Sequence, residues 1–431
     1  MDRNLSLKEK LLEQYSNQHN DDGILGERLA NRLDELSQIG LTDDNGSNRP
    51  GFSKEEKQAK VLVSGWMQEA GLDVQEDGAG NIFGRLDGSD NELPAILCGS
   101  HLDSVPNGGH FDGPLGVLSA LEVVEAWNNT GFKPEKPFEV VIFSDEEGSR
   151  FNGGLNGSEA LIGNSDFEKK VKLVDKDGLC FEEVLNNVGL TIEGYSRANR
   201  NLDEIEMFVE VHIEQGKRLE NRGLPCGIVT GIAGPCWLEL TFTGEAGHAG
   251  NTPMNDRKDA LVAASEFIVE VNKLPGKLSD SAVATVGKQL VEPNGVNVIP
   301  GKVVLYVDIR DIFLETRDQL VDEVLSLSKE ISQKYQITVE HEEKLRVEPV
   351  PIEDQTQDML EQSFLEKGIE PYKLPSGAGH DAMIIGDKLP VAMLFVQSKD
   401  GISHNPAEWS DLNDCVQTIH VLKNFIEKLN L

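Results

Sequence analysis

Cysteine is scarce in this 431-residue chain, with five residues scattered along its length and never spaced as CxxC. They are Cys98, Cys180, Cys226, Cys236 and Cys415. An odd, scattered set fits neither a disulfide framework nor a zinc ribbon, and it is typical of reduced thiols. The opening segment MDRNLSLKEKLLEQYSNQHNDD is charged and lacks the apolar core and cleavage site of a secretory signal. We therefore expect a cytoplasmic protein.

Basic residues are also few, since 40 lysines and arginines face 74 aspartates and glutamates, for a formal net charge of −34. Such a charge repels a phosphate backbone and anionic lipid, which argues against nucleic-acid and membrane partners. No apolar run approaches the roughly 18 residues that a membrane-spanning helix requires. The acidic balance itself is typical of a solvated surface.

Several catalytic signatures are missing as well. The loop NGGHFDGPLG has neither the GxGxxG spacing nor the lysine of GxxxxGK[ST], which argues against nucleotide binding. No GxSxG motif occurs, so a serine hydrolase is not indicated. No repeat of fixed period is present, and at roughly 150 residues per domain the length indicates two or three domains.

The chain does contain apolar runs that end in polar loops. Residues 1–92 show a polar helical pattern with one strand-like run, NIFGRL. Four later runs are continuously apolar: PAILCGSHLDS, PFEVVIFSDEEGS, MFVEVHIEQG and PVAMLFVQSKDGISHNP. Such runs suit interior strands of a sheet covered by helices on both faces. Ligands bind beyond the carboxyl ends of such strands, which is where these runs place their charged residues.

The pattern changes between residues 227 and 340. In WLELTFTG, the apolar Leu238, Leu240 and Phe242 alternate with polar residues, as in a half-exposed strand. Helix-period and strand-like runs then complete the order β-α-β-β-α-β, the split βαβ unit of ferredoxin-like domains. We therefore predict an α/β domain formed by residues 1–226 and 341–431, interrupted by a smaller α+β domain at 227–340.

Imidazoles and carboxylates cluster in the loops after the apolar runs. They are His101, Asp112, Glu146, Glu147, His212 and His404. A group of carboxylates beyond an apolar strand is costly unless it is solvated or neutralised by a cation. Mixed imidazole and carboxylate ligands suit zinc, manganese, cobalt or nickel. Each histidine taken alone also fits a hydrogen-bonded structural role.

The run that contains His212 adds a geometric argument. Strand alternation places Phe208, Glu210, His212 and Glu214 on one face of the strand and apolar residues on the other. A polar face on an otherwise buried strand indicates a site. The alternative is a strand with one solvent-facing side.

These loops belong to a longer ordered series: GSHLDSVPNGGHFDGPLG, FSDEEGSRF, VEVHIEQG, GIAGP, GEAGHAGNTPM, GVNVIPG with VDIRD, and SGAGHD with DGISHNPAEWS. The series resembles the amidase/hydantoinase/carbamoylase branch of the M20 metallopeptidase family, which contains N-carbamoyl-L-amino acid hydrolases and allantoate amidohydrolases. It runs from about residue 60 to about residue 410, most of the chain. The resemblance implies a phosphorylase/hydrolase-like α/β catalytic domain and an inserted ferredoxin-like dimerisation and lid domain.

The resemblance also implies a centre of two divalent metal ions per subunit, manganese or zinc, with cobalt or nickel as alternatives. Its ligands would be His101, Asp112, Glu147, His212 and His404. Asp112 would bridge, His101 and His212 would hold one metal, and Glu147 and His404 the other. Peptidase relatives commonly carry a carboxylate at the position of His212, which favours the carbamoylase branch. Asp103 would be the carboxylate that fixes the His101 imidazole.

By the same resemblance, Glu146 would be the general base, the alternatives being an extra metal ligand or an exposed acid. The sequence leaves open whether burial or a neighbouring cation pair dominates its pKa. His248 would reach the substrate carbonyl oxygen from the partner subunit, the alternative being a turn histidine bonded to local backbone. Arg310 would grip a substrate carboxylate, the alternative being an exposed ion pair with Asp308. Further substrate contacts would come from Gln215, Asn297 and the backbone of Gly379. His110 and His380 flank site loops, but the pattern does not make them ligands.

The expected function is a homodimeric binuclear-metal amidohydrolase that cleaves the N-carbamoyl (ureido) group of a small carboxylate and releases ammonia and carbon dioxide. N-carbamoyl-L-amino acids and allantoate are the leading substrates. Two closely spaced cations can acidify a shared water, which amide hydrolysis requires. The alternatives are an M20 dipeptidase or aminoacylase, and a non-catalytic metal-binding homologue.

Overall fold

The computed structural model describes residues 5–430; the first four residues and Leu431 lie outside this range. It divides into two compact units. Unit 1 comprises the chain up to Val229, then Ile352–Leu374, and the chain from His380 onward. Unit 2 comprises Thr230–Pro351 and Pro375–Gly379. No helix within residues 5–430 is both long and apolar enough to span a membrane.

The large sheet of unit 1 is formed by short strands. They are β1 (Asp73–Glu76), β2 (Ile82–Leu86), β3 (Ala95–His101), β4 (Phe138–Phe143), β5 (Ile205–Ile213), β6 (Cys226–Ile232) and β15 (Val391–Val396). Their order across the sheet is β1-β2-β4-β3-β5-β15-β6. The four central strands, β4, β3, β5 and β15, run parallel. Each corresponds to one of the four continuously apolar runs, and all four runs are strands, as predicted.

Helices cover both faces of this sheet. They are α1 (Leu7–Leu12), α2 (Gly26–Ser37), α3 (Lys54–Glu69), α4 (Pro114–Thr130), α5 (Asn156–Ile162), α6 (Phe167–Lys170), α7 (Phe181–Asn187), α8 (Ile192–Tyr195), α11 (Asp354–Glu366), α12 (Asp381–Ile385) and α13 (Leu412–Leu429). Val209 and Val211 of β5 pack into the main core with α4 and α13. On the opposite face, the Glu210 carboxylate accepts a hydrogen bond from the Ala382 amide of α12.

Helix α4 illustrates how the sequence sets these elements. It begins at Pro114, whose missing N–H is not needed in a first turn, and ends before Gly131 in the left-handed conformation (φ +75°). Trp127 in its last turn is buried, and its indole N–H donates to Glu427 of α13. This helix therefore joins the sheet to the C-terminal helix.

Unit 2 contains β7 (Gly234–Thr243), β8 (Gly247–His248), β9 (Val283–Glu292), β10 (Val298–Ile299), β11 (Lys302–Asp311), β12 (Thr338–Arg346), β13 (Val350–Pro351), α9 (Ala260–Val271) and α10 (Leu314–Tyr335). Its main sheet is antiparallel in the order β12-β7-β11-β9. Together with α9 and α10, this order is the split βαβ arrangement. Leu238, Leu240 and Phe242 point into its core as the alternation predicted.

The observed boundaries differ from those expected from the sequence. The second unit extends to Pro351, whereas the expected domain ended at residue 340. The reason is that β12 stays paired with β7 as far as Arg346, and Val350 then pairs with Ile232 at the end of β6. After Pro351 the chain belongs to unit 1 as far as Leu374, and Pro375–Gly379 then belong to unit 2 again. Strand β14 (Lys373–Ser376) includes residues on both sides of this boundary.

Candidate metal centre

The candidate ligands follow the four parallel strands of unit 1. His101 is the last residue of β3, and His212 is the penultimate residue of β5. Glu146 and Glu147 come soon after β4, and His404 lies in the loop after β15. Because the carboxyl ends of parallel strands meet at one edge of a sheet, these side chains converge there.

Three of them form a first group. One ligand atom from each of His101, Asp112 and His212 lies within 4.8 Å of the others. The His212 Nε2 atom is 3.1 Å from Asp112 Oδ1, and the His101 Nε2 atom is 3.7 Å from the same oxygen. All three side chains are buried. The polar face of β5 is therefore buried, and the alternative of a solvent-facing strand is wrong.

A second group shares Asp112. It joins Asp112, Glu147 and His404, again with ligand atoms within 4.8 Å of one another. The His404 Nε2 atom is 3.3 Å from Glu147 Oε2 and 3.6 Å from Asp112 Oδ2. The two oxygens of Asp112 therefore face different groups, as a bridging carboxylate requires. The His404 side chain is half exposed, which places it at the open side of the centre.

The donor atoms fit divalent metal binding. Within residues 5–430, the buried His101 Nε2 atom has no hydrogen-bond partner. Its Nδ1 atom lies 3.1 Å from the Asp103 carbonyl oxygen and 3.4 Å from that residue's Oδ1 atom. The His212 Nδ1 atom likewise lies 3.1 Å from the Ile213 carbonyl oxygen. Each ring thus has one nitrogen held by the protein and the other aimed at Asp112, the usual arrangement of a metal-ligating histidine.

The ionisation of these groups reflects their crowding. Burial lowers the pKa of His101, but the neighbouring carboxylates of Glu146 and Asp103 outweigh burial and raise it well above its ordinary value. The pKa of His212 is raised in the same way by Asp112. A bound cation would compete with protons for these two rings.

Glu146 lies beside the first group, with its Oε2 atom 3.7 Å from His101 Nε2. Burial raises the pKa of Glu146 well above its ordinary value, and the carboxylates of Glu147 and Asp381 raise it further against the opposing effect of His101. A raised pKa suits a group that takes and returns a proton.

Asp103 makes further contacts besides the predicted one with His101. Its two carboxylate oxygens accept the backbone N–H groups of Glu146 and Glu147, each at 3.1 Å. One buried carboxylate therefore fixes the ends of two strands, β3 and β4. The spacing of Asp103 from His101 indicated only the first of these contacts.

Gln215, expected to contact substrate, lies at the centre itself. Its amide nitrogen donates to Asp112 Oδ2 at 2.9 Å, and within residues 5–430 its buried Oε1 atom has no hydrogen-bond partner. Its backbone is left-handed (φ +55°), and its N–H donates to the Ser398 hydroxyl. This strained backbone aims an unused amide oxygen into the site.

Sequence reasoning missed Ser403 and Glu408. The Ser403 hydroxyl donates to Asp112 Oδ2 at 2.5 Å. The Glu408 Oε1 atom accepts the backbone N–H groups of Phe111 and Asp112, at 2.9 and 3.1 Å. Burial, with Asp112 nearby, raises the pKa of Glu408 to about 7. The only sequence signal for either residue was its place in the motif around His404.

His380 was also left out of the predicted site. Its buried ring lies against that of His212, with 4.4 Å between centroids. Burial and the neighbouring His212 lower the pKa of His380 well below its ordinary value. Asp381, the next residue, is fully buried, and burial with Glu210 nearby raises its pKa well above the ordinary value. The motif SGAGHD was the available signal.

The remaining predicted residues lie in unit 2. His248 is exposed in β8, and its Nδ1 atom accepts the backbone N–H groups of Gly250 and Asn251. The backbone contacts expected for a turn histidine are therefore present. Because Nδ1 acts as an acceptor, a neutral His248 ring has its proton on Nε2, where it can be donated. Asn297 lies beside this turn, since its carbonyl oxygen accepts the Ala249 N–H.

Arg310 has both kinds of contact that the sequence suggested. Its guanidinium pairs with the Asp308 carboxylate at 2.8 Å, so the ion pair is formed. The Nη1 atom also donates to the Gly377 carbonyl oxygen at 2.7 Å, in the short segment that contains Gly379. The structure thus brings Arg310 to the loop with which it was expected to act.

Comparison with known proteins extends over nearly the whole chain. The model of peptidase family M20/M25/M40 matches residues 97–428. An N-carbamoyl-L-amino acid amidohydrolase of Geobacillus stearothermophilus is 41% identical over 406 residues, which cover 94% of this chain and 99% of that protein. The allantoate amidohydrolase of Bacillus subtilis strain 168 is 36% identical over 401 residues, covering 93% of this chain and 97% of that protein.

A solved structure agrees with these matches. The crystal structure of an amidase of the hydantoinase/carbamoylase family from Burkholderia multivorans superposes with a TM-score of 0.88 at 34% identity. The alignment covers 94% of this chain and 98% of that chain.

Proposed function

Since the chain belongs to peptidase family M20/M25/M40 and, within it, to the hydantoinase/carbamoylase amidases, we propose that it removes the N-carbamoyl (ureido) group from a small carboxylate. It is a metal-dependent amidohydrolase acting on C–N bonds other than peptide bonds. N-carbamoyl-L-amino acids and allantoate are the proposed substrates. The observation that carries the proposal is the pair of ligand groups sharing Asp112, with Glu146 beside them.

The centre is proposed to hold two divalent metal ions per subunit. His101 and His212 would hold one, Glu147 and His404 the other, and Asp112 both, in line with the two groups of donors. Manganese and zinc are the proposed metals, and cobalt or nickel suits the same ligands. When bound, such ions polarise a carbonyl group and lower the pKa of water.

The chain's own residues would then manage the protons. Glu146 takes a proton from the water that attacks the carbamoyl carbon, and its raised pKa suits that task. It returns the proton to the departing amine nitrogen, which breaks the C–N bond. The carbamic acid formed then separates into carbon dioxide and ammonia. The buried Oε1 atom of Gln215 is available to accept an N–H of the ureido group.

Unit 2 is proposed to recognise the rest of the substrate. Arg310, Asn297 and the backbone of Gly379 would grip the carboxylate, because a guanidinium offers two parallel N–H donors to it. His248 would donate from Nε2 to the carbonyl oxygen. We assign this contact to the partner subunit of a homodimer, supported by the exposure of His248 in this chain.

Mixing two inactive variants tests that assignment. Glu146→Gln and His248→Ala are each expected to be inactive alone. In a mixed dimer, one site regains a wild-type Glu146 and a wild-type partner histidine, so activity returns to at most about a quarter of the wild-type level. Absence of recovery after subunit exchange has been verified would refute the shared site.

A cytoplasmic location is proposed as well. It is supported by five free cysteines, of which four are buried. Such thiols persist in reducing compartments.

Ammonia release from a substrate panel tests the proposed function. The panel contains N-carbamoyl-L-amino acids, N-carbamoyl-β-alanine and allantoate, with protein reconstituted separately with manganese and zinc. We expect turnover of at least one ureido acid. A dipeptide, followed by amine formation, serves as the comparison substrate. Cleavage of the dipeptide alone would indicate a peptidase, and no turnover despite bound metal would indicate a non-catalytic homologue.

A further inference from the structure

A buried arginine lies behind the metal centre, on a segment that we call the brace (residues 45–52). Arg49 is 1% exposed. Its Nε atom donates to the Leu102 carbonyl oxygen at 2.9 Å, and its Nη1 atom donates to the Ile39 carbonyl oxygen and the Ser47 hydroxyl at 3.0 and 3.2 Å. Leu102 is the residue between His101 and Asp103. The brace also precedes the region that the family model matches.

The brace follows the ligand loop along its length. The Arg49 N–H donates to the Ser104 hydroxyl, and the Ser104 N–H donates to the Arg49 carbonyl oxygen. Ser47 and Gly108 exchange both backbone hydrogen bonds, at 2.9 and 2.8 Å. The Ser47 hydroxyl also lies 2.8 Å from His110 Nδ1. These contacts fix the chain from just after His101 to two residues before Asp112.

The same segment contacts the loop after β4. A Cβ atom at Gly51 would overlap the Asp145 carboxylate, so only glycine allows this approach. The Gly51 carbonyl oxygen accepts a hydrogen bond from Arg150 Nε at 3.1 Å. Asp145 immediately precedes Glu146 and Glu147. The brace therefore touches the two loops that supply three of the five proposed ligands and the proposed base.

The charge of Arg49 suits this position. Burial lowers its pKa to about 10, so the guanidinium remains protonated at neutral pH. The carboxylates that act on it are those of Asp103 and Glu408. Asp103 accepts the backbone N–H groups of Glu146 and Glu147, and Glu408 accepts the backbone N–H group of Asp112. A buried cation thus offsets the two carboxylates that anchor the ligand loops.

We propose that Arg49 is a positioning residue that holds the ligand loops in their metal-binding geometry before any cation arrives. This inference rests on the proposed metal centre and adds to it a part outside the ligand set. Lysine cannot replace the arginine, because a single ammonium on a flexible stem lacks the fork that reaches three acceptors on separate segments.

A matched control is present in unit 2. Arg317 is also fully buried, and its Nη1 atom donates to the carbonyl oxygens of Gly234 and Val347. It belongs to a unit that contains none of the five proposed ligands. Arg317→Lys therefore loses stability because a buried guanidinium is altered, but it alters no contact with the loops of the proposed metal centre.

The test compares Arg49→Lys, Ser47→Ala and Arg317→Lys in the full-length protein. Zinc affinity is measured by competition with a chromogenic chelator, and backbone hydrogen exchange is measured on metal-free protein. We expect Arg49→Lys to weaken zinc binding roughly 10–100-fold, as removal of groups behind metal ligands does. Exchange at the amides of Ser104, Gly108 and Asp112 should accelerate. Ser47→Ala should act in the same direction with a smaller effect.

Arg317→Lys is expected to lower the unfolding temperature and leave zinc affinity and those amides unchanged. The proposal would be overturned if Arg49→Lys kept the zinc affinity and amide exchange rates of the wild-type protein. It would also be overturned if Arg317→Lys lost as much zinc affinity as Arg49→Lys. If Arg49→Lys does not fold, Ser47→Ala decides by the same two measurements. If the wild-type protein binds no zinc, the proposed function fails, whereas hydrogen exchange of the metal-free variants still decides the role of Arg49.

Discussion

Asp112 is the residue on which both halves of the candidate centre depend. Its Oδ1 atom faces His212, and its Oδ2 atom accepts hydrogen bonds from Gln215 and Ser403. Burial raises the pKa of Asp112, but His212 and the other neighbours outweigh burial and hold that pKa well below its ordinary value. The carboxylate is therefore ionised, which its proposed bridging role requires.

Replacing Glu146 by glutamine separates proton transfer from metal binding. Glutamine is nearly isosteric but cannot take a proton, so we expect turnover of the ureido substrate to fall by about 10²–10⁴-fold or more. Metal content, measured by elemental analysis, should stay at the wild-type value because Glu146 lies outside both ligand groups. Turnover within a few fold of wild type would exclude Glu146 as the base.

Asp414, in the first turn of α13, gives a pH-dependent stability. Burial, with Asp411 nearby, raises the pKa of Asp414 to about 7 from its ordinary value of 3.8. Between these two pH values the folded protein keeps a proton that the unfolded chain has lost, so this residue's contribution to stability falls as pH rises from about 4 to about 7. Above pH 7 Asp414 is charged in the folded protein, and the full free-energy cost of burying that charge lowers the stability.

We therefore expect Asp414→Asn to raise the unfolding temperature relative to wild type at pH 8 and to leave the difference near zero at pH 4. Thermal melts across this range provide the measurement. Asp87, whose side chain is 74% exposed, supplies the control variant Asp87→Asn. A wild-type-minus-variant difference that does not change with pH would contradict the assigned pKa.

At the scale of elements, the start of α4 is tied to the centre through Gly113. This residue is left-handed (φ +82°), and a Cβ atom there would overlap the His101 ring. The opposite end of the same helix has Gly131, also left-handed (φ +75°), with open space around it. The two glycines thus share a positive φ but differ in ψ (−61° at Gly113 and +17° at Gly131) and in what lies beside them.

Gly113→Ala is expected to reduce both zinc affinity and stability, because the added methyl group must displace a ligand. Gly131→Ala should cost only the backbone strain of roughly 1–2 kcal/mol, with zinc affinity unchanged. Chelator competition and denaturant unfolding measure the two quantities. Equal zinc affinity in the two variants would show that the His101 ring accommodates the methyl group.

The elements also show what the sequence predicts well and what it does not. Apolar runs identify β3, β4, β5 and β15, because burial on both faces leaves a local signature. The convergence of His101 and His212 follows from the parallel order of those strands. The anchoring of Phe111 and Asp112 by Glu408 spans almost 300 residues and has no local pattern, so only the folded chain shows it. The brace (residues 45–52) likewise lies within residues 1–92, for which the sequence predicted only a polar helical pattern.

At the scale of the whole molecule, the proposed metals belong to one unit only. All five candidate ligands lie in unit 1, and unit 2 has a hydrophobic core of its own. A ligand that binds the folded state stabilises that state alone. Metal binding is therefore expected to act on the stability of unit 1.

Chelation should lower the unfolding temperature of unit 1 and leave that of unit 2 unchanged. Of the four tryptophans, Trp237 is in unit 2, and the others, Trp66, Trp127 and Trp409, are in unit 1. Fluorescence of a Trp237→Phe variant therefore reports unit 1, and a variant that retains only Trp237 reports unit 2. An equal shift of both transitions on chelation would show that the units unfold as one.

The place of β15 in the sheet has a consequence for biosynthesis. This strand lies between β5 and β6, although it follows both of them in the chain and comes after β7 to β14. A growing polypeptide thus leaves a gap between these two strands until residues 391–396 have been synthesised. The four strands of the main sheet of unit 2 all lie between Gly234 and Arg346, so this sheet is complete before β15 is synthesised and can form first. During that interval the edges of β5 and β6 that β15 later covers are unpaired, so chains truncated before residue 391 should accumulate in aggregates.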